Sequence, residues 1–160
     1  MNKITTIERH TGGEPLRIFT GGLPDIPGET ILEKRSYFSK HLDYIRTATL
    51  FEPRGHADMY GAVITKPLNE GSDFGTFFLH NEGYSTMCGH AIIALTKYVI
   101  EMAVVNKSYD DPVLRIDAPP GLIISRARMK QEKVISTSFM NVPSFVLMKD
   151  QNVKVESLGK

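Results

Sequence analysis

Cys88-Gly89-His90-Ala91-Ile92-Ile93-Ala94-Leu95-Thr96-Lys97-Tyr98-Val99-Ile100-Glu101-Met102 is the stretch on which the fold turns. From position 91 onward only Thr96, Lys97 and Glu101 interrupt an apolar run. A helix here is apolar nearly all round and belongs inside a core. Such a helix has one informative place, its first turn, where backbone N–H groups without helical partners and the positive end of the dipole face whatever lies beyond. Cys88, Gly89 and His90 occupy that turn.

The flanks of this segment are strand-rich. Residues 17–20, 59–65 and 74–80 read as short strands, the second closed by Pro67 and the third by the turn triplet Asn81-Glu82-Gly83. On the far side, 113–117 and 122–129 are extended segments joined at Pro119-Pro120-Gly121, and 134–140, 145–148 and 153–156 follow as further strands. One surface helix stands apart. Leu23-Pro24-Asp25-Ile26-Pro27-Gly28-Glu29 is a loop, and Thr30 with Glu33 then gives the spacing of a capping box. Phe38, Leu42 and Ile45 continue an amphipathic stripe, and Pro53 ends the helix no later than Glu52. No internal repeat or long linker divides the chain, so the predicted class is a single α+β unit with mostly antiparallel strands.

Composition narrows the function classes. Nineteen Lys plus Arg against eighteen Asp plus Glu, in 160 residues, leave a formal charge of +1. There is no basic block, so no nucleic-acid partner is expected. The charge-free stretch from Gly83 to Thr96 is shorter than the roughly 18 apolar residues of a membrane span, so no membrane partner is expected either. The first nine residues are too polar for a signal peptide, which makes a cytoplasmic location the expectation. One cysteine, Cys88, makes no intramolecular disulfide, and three roles stay open for it: buried filler, reactive thiol or intermolecular bridge.

The first turn of the apolar helix suggests a chemistry. The dipole and free N–H groups stabilise a thiolate and bring the thiol from about 8.5 toward neutrality, where it serves as a base. Gly89 lets a ligand approach the backbone, and the N–H groups of Gly89 and His90 form a seat for a carboxylate. Base and seat side by side suit removal of a proton from the carbon next to a carboxylate. Against this stands the burial preference of cysteine, which favours a packing role. A metal site from Cys88, His90 and His80 or His56 lacks a zinc-like spacing. His10-Thr11-Gly12-Gly13-Glu14-Pro15 lacks the phosphate-loop lysine and reads as a tight turn before a strand; Glu52-Pro53-Arg54-Gly55-His56 reads as an ordinary loop.

Taken together, four segments resemble the proline racemase family. They are His10-Thr11-Gly12-Gly13-Glu14-Pro15-Leu16-Arg17, Glu52-Pro53-Arg54-Gly55-His56 with Asp58-Met59-Tyr60-Gly61-Ala62, His80-Asn81-Glu82-Gly83-Tyr84-Ser85-Thr86-Met87-Cys88-Gly89-His90, and Asn141-Val142-Pro143-Ser144-Phe145. Within that family the segments around Arg54 and Cys88 are most similar to the trans-3-hydroxy-L-proline dehydratases, with proline racemases and 4-hydroxyproline epimerases as near relatives.

The resemblance implies a diaminopimelate epimerase-like fold, in which each of two lobes is a strand-rich barrel around a buried central helix, and a homodimer. It implies an enzyme without cofactor or metal, acting on proline or hydroxyproline as its small-molecule partner. Cys88 would be the catalytic acid/base, Gly89 and His90 would hold the substrate carboxylate, and the expected reaction is dehydration of trans-3-hydroxy-L-proline to pyrroline-2-carboxylate. The alternatives are racemisation or epimerisation, and a catalytically inactive lobe that binds at most a small carboxylate. Family members are about twice as long, so residues 1–160 are expected to be the N-terminal lobe, with the second-lobe Cys or Thr beyond Lys160.

Overall fold

The computed structural model describes residues 3–107 and 110–152. In chain order the elements are β1 (Thr5–Thr11), β2 (Glu14–Gly21), α1 (Ile31–His41), α2 (Asp43–Leu50), β3 (Tyr60–Thr65), β4 (Phe74–His80), α3 (Gly89–Glu101), β5 (Val113–Ala118), β6 (Gly121–Lys130) and β7 (Lys133–Met140). The strands form one sheet in the order β1-β2-β3-β4-β5-β6-β7. Four neighbouring pairs are antiparallel, while β2–β3 and β4–β5 are parallel. The parallel pairs are those whose connections contain helices, as a crossover requires.

Both faces of the sheet centre are covered. Leu16, Ile18, Ala62, Phe74 and Phe78 pack with Ala91, Ile92, Leu95 and Val99 of α3 on one face. On the other, Phe19, Val63, Phe77 and Leu79 pack with Phe38 of α1, Leu42 at the junction of α1 and α2, and Ile45 and Leu50 of α2. Successive side chains of β4 therefore enter two different cores, which explains why its sequence is nearly continuous apolar residues rather than an alternation. α3 touches β1, β2 and β3 as well as β6 and β7. A helix that meets strands from both ends of one sheet requires the sheet to curl around it, and the result is an α+β half-barrel with α3 as its axis.

The expected strands over 59–65, 74–80, 113–117, 122–129 and 134–140 are all present. The capping box at Thr30 is formed, with the Glu33 N–H donating to Thr30 Oγ1 at 3.1 Å. Four expectations need correction. The single helix after Thr30 is two, because Leu42 (φ −126°, ψ 11°) leaves the helical region and closes α1 through its own N–H to the Phe38 carbonyl. β1 is an additional strand, joined to β2 by a turn in which Gly12 and Gly13 take φ of 61° and 100°, a conformation that favours glycine. Residues 17–20 are only the second half of β2. Residues 145–148 form no strand and are exposed. The strand expected at 153–156 lies outside the described residues. Among the described residues no helix is long and apolar enough to cross a membrane.

Candidate active site

Cys88 is delivered to the head of α3 by a loop fastened at several points to α1 and α2. β4 ends in a turn where His80 N–H donates to the Gly83 carbonyl at 2.9 Å. The Arg46 guanidinium donates to the carbonyls of His80 (3.0 Å) and Asn81 (2.5 Å), and grips both oxygens of Asp43 at 2.7 and 2.9 Å. The Tyr84 hydroxyl donates to Asp43 Oδ1 at 2.6 Å, and Arg35 donates to the Ser85 carbonyl at 3.2 Å. The hydrogen bond from Arg46 holds the Asp43 carboxyl below its ordinary value in spite of burial. Burial, with Asp43 adding to it, pushes the Tyr84 phenol up.

At the helix start Cys88 is the N-cap, in an extended conformation (φ −142°, ψ 102°). Gly89 and His90 are the first two helical residues, so their N–H groups have no partner within the helix. Cys88 Sγ lies 3.4 Å from His90 Nδ1. The three residues singled out in the sequence thus share one turn.

The electrostatics differ from the expectation. Cys88 is only 6% exposed, and burial pushes its thiol up to about 11. The Ala91 N–H opposes that shift and the Glu14 carboxylate adds to it. Desolvation of the thiolate outweighs the backbone contribution of the first turn, and the thiol is protonated at neutral pH. Burial also lowers His90, with Glu14 and the Pro15 carbonyl working the other way. The resting pair is a neutral thiol beside a neutral imidazole.

The surroundings of this turn come from strands far off in sequence. Thr11 Oγ1 donates to the His90 carbonyl at 2.9 Å, which fastens the β1–β2 hairpin tip to α3. Tyr60 of β3 meets the His90 ring edge-on, with centroids 4.8 Å apart, and the His80 ring at 5.4 Å. From β7, Phe139 covers Gly89: a Cβ there would lie 3.3 Å from the Phe139 ring. Tyr60 also forms one wall of an open groove of about 570 Å³ that includes Phe51, His56, Asp58, His80 and Asn81.

His80 is therefore parted from the Cys88–His90 pair by the Tyr60 ring, and the His56 imidazole is occupied by the Ala57 carbonyl at 2.6 Å. Neither joins Cys88 in the way the metal alternative required. Thr11, Glu14 and Tyr60 had no assigned role in the sequence reading, although each lies in a segment that carried the family resemblance. The missing signal was tertiary: only the curl of the sheet brings β1, β2 and β3 to the head of α3.

Comparison with known proteins adds four matches. A family model described as proline racemase matches residues 6–160. A trans-3-hydroxy-L-proline dehydratase from Bacillus cereus is 50% identical over 153 residues, 96% of this chain and 46% of that protein. A 3-hydroxyproline 2-epimerase from Burkholderia multivorans is 46% identical over 156 residues, 98% of this chain and 47% of that protein. Among solved structures, a hydroxyproline epimerase from Agrobacterium vitis with bound trans-4-hydroxy-L-proline shares the fold, with a TM-score of 0.86 at 22% identity; the match covers 96% of this chain and 46% of that one. The chain spans a little under half the length of the curated relatives it matches.

Proposed function

Because the chain belongs to the proline racemase family, we propose that it forms the first lobe of a two-lobed enzyme that removes the α-proton of a proline-type imino acid, with dehydration of trans-3-hydroxy-L-proline as the reaction. The observation that carries this reading is one turn of α3 holding Cys88, Gly89 and His90 together, in a chain half identical to a dehydratase. The substrate carboxylate is seated on the N–H groups of Gly89 and His90, where the dipole favours an anion. Cys88 then takes the α-proton, and loss of the β-hydroxyl as water leaves an enamine that tautomerises to the imine of pyrroline-2-carboxylate. Binding of substrate and a second lobe against this turn changes the surroundings that now keep the thiol protonated. The assembled enzyme works as a homodimer in the cytoplasm and needs no cofactor or metal for these steps.

The test is incubation with trans-3-hydroxy-L-proline in D₂O, of the chain by itself and of the chain fused to the second half of the Bacillus cereus relative. Pyrroline-2-carboxylate or α-deuteration is expected from the fusion, and Cys88→Ser is expected to reduce it by at least about a hundredfold. Turnover that survives Cys88→Ser overturns the assignment. So does a fusion that binds pyrrole-2-carboxylate, a planar mimic of the deprotonated substrate, yet exchanges no proton.

Two other readings have specific support. The Burkholderia relative is named as an epimerase, and epimerisation requires a second base on the opposite face of the substrate; retention of the hydroxyl with inversion at Cα distinguishes it. The thiol held at about 11 favours a lobe that by itself seats a carboxylate without turning it over, in which case the 160-residue chain binds pyrrole-2-carboxylate but catalyses no exchange.

A further inference from the structure

Three polar residues interrupt the apolar run of α3, and the chemistry at its head gives a role to none of them. Thr96 is satisfied inside the core, donating to the Ile92 carbonyl at 2.7 Å and meeting Ser125 Oγ at 2.6 Å. Lys97 and Glu101 lie toward the other end of the helix, Glu101 about 18 Å along the axis from Gly89. Local rules do not favour them there. Glu101 is the last residue of α3, where the dipole disfavours an anion, and a Lys four residues before a Glu is the weaker order of such a pair. Their partners lie outside the helix.

Those partners are on the free edge of the sheet. β7 ends the strand order, and among the described residues no strand pairs with its outer side. Between β7 and β1 the sheet stays open, with Ile93, Ala94 and Lys97 in the lining of a gap of about 360 Å³. An edge strand presents unpaired N–H and C=O groups that a further strand can join. At Val134 both groups are engaged by α3 instead. Lys97 Nζ donates to the Val134 carbonyl at 2.9 Å, the Val134 N–H donates to Glu101 Oε1 at 3.4 Å, and Lys97 and Glu101 are joined to each other at 2.5 Å. The second Glu101 oxygen lies 3.9 Å from Arg9 Nη1, which draws β1 to the same carboxylate. The next residue of β7, Ile135, has no counterpart in β6, because Val134 pairs with Met129 and Ser136 with Arg128. A bulge of this kind bends the strand and interrupts its ladder.

We propose that Lys97 and Glu101 cap the β7 edge, standing in for the strand that the sheet lacks there, and that the cap keeps a second copy of this chain from adding to that edge. Two β7 edges are identical, so they can meet about a twofold axis, each facing the same edge of its partner. Pairing through Val134 needs the two backbone groups that the ion pair holds. It also needs a regular ladder, which the bulge at Ile135 breaks. Two devices at adjacent residues thus oppose one event, and the polar interruptions of an otherwise apolar helix are explained by the edge they reach.

Hydrogen exchange resolved by residue tests the cap first in the unaltered chain in dilute solution. The Val134 amide is expected to exchange at least about tenfold more slowly than an unprotected amide; exchange at the unprotected rate overturns the proposal. Lys97→Ala with Glu101→Ala then removes the cap while keeping residues that favour a helix. The pair is expected to speed exchange at Val134 about tenfold or more and to leave the Leu95 amide inside α3 within about twofold. Sedimentation is read in a chain that also carries Phe145→Ser and Leu147→Ser, so that the exposed apolar run does not contribute, and removal of the cap is expected to shift monomer toward dimer. Unchanged exchange at Val134, equal acceleration at Val134 and Leu95, or a monomer that persists without the cap overturns the proposal. If the double variant does not fold, Glu101→Gln replaces it: exchange at Val134 about threefold faster and the same shift toward dimer are expected, and the absence of either overturns the cap.

Discussion

A thiol at the start of a helix feels two opposed effects, and at Cys88 their balance sets what the residue can do unassisted. The dipole and the nearby N–H favour the thiolate, but they act on a sulfur that is almost fully withdrawn from water, and withdrawal disfavours any charge. Burial is the larger of the two. The expected outcome is a Cys88 that reacts slowly with iodoacetamide at pH 7 and accelerates as pH rises toward about 11; an inflection below pH 8 contradicts this balance. The position of Cys88 was legible in the sequence, since a cysteine ahead of an apolar run marks a helix start. Its ionisation was not, because desolvation depends on the strands that close around the turn. Tyr60 and Phe139 are 28 residues before it and 51 after, and no local pattern ties either to Cys88.

The elements that hold this turn in place are fixed by buried polar contacts rather than by apolar packing alone. Arg46 joins α2 to the end of β4 through Asp43 and the His80 and Asn81 carbonyls. Arg46→Ala strands two carbonyls and a carboxylate that are partly shielded from water, and is expected to lower unfolding stability by about 2–4 kcal/mol in a denaturant titration. A change under about 0.5 kcal/mol would show the loop to be held otherwise. The Asp117 carboxylate does the equivalent work beside β4. Burial opposes its charge, but donors from Asn69, Leu68 and Ser72 together hold it below the ordinary carboxylate value. Both Asp43 and Asp117 thus have depressed folded-state values, so their stabilisation is complete above the unfolded-state value near 3.8 and disappears as pH falls through the folded-state values. Denaturation midpoints should fall from pH 6 to pH 3, and Asp117→Asn should flatten part of that fall. At this scale the capping box of α1 was legible, being a four-residue signal. The break at Leu42 was not, because Phe38, Leu42 and Ile45 keep helical spacing across it, and Asp43 is drawn to Arg46 and Tyr84 by contacts that reach 41 residues along the chain.

For the molecule as a whole, the buried α3 was legible because it is apolar nearly all round, and a sheet had to wrap it. How far the sheet closes was not, because that depends on which edges pair. β1 and β7 end the strand order unpaired with each other, and the chain leaves β7 with Phe145, Val146, Leu147 and Met148 between 66% and 81% exposed. Unpaired edges and a contiguous apolar run are the two surface features that promote association. In a two-lobed enzyme the second lobe would be their natural cover; in its absence a second copy of this chain is the available one. Sedimentation is therefore expected to show concentration-dependent self-association of the 160-residue chain. Phe145→Ser with Leu147→Ser should shift it toward monomer while leaving the thermal unfolding transition near its original position, because neither side chain belongs to the core. A monodisperse monomer of the unaltered chain at high concentration would mean that the half-barrel buries enough by itself, and the proposal that it is built to be covered by a second lobe would lose its physical basis.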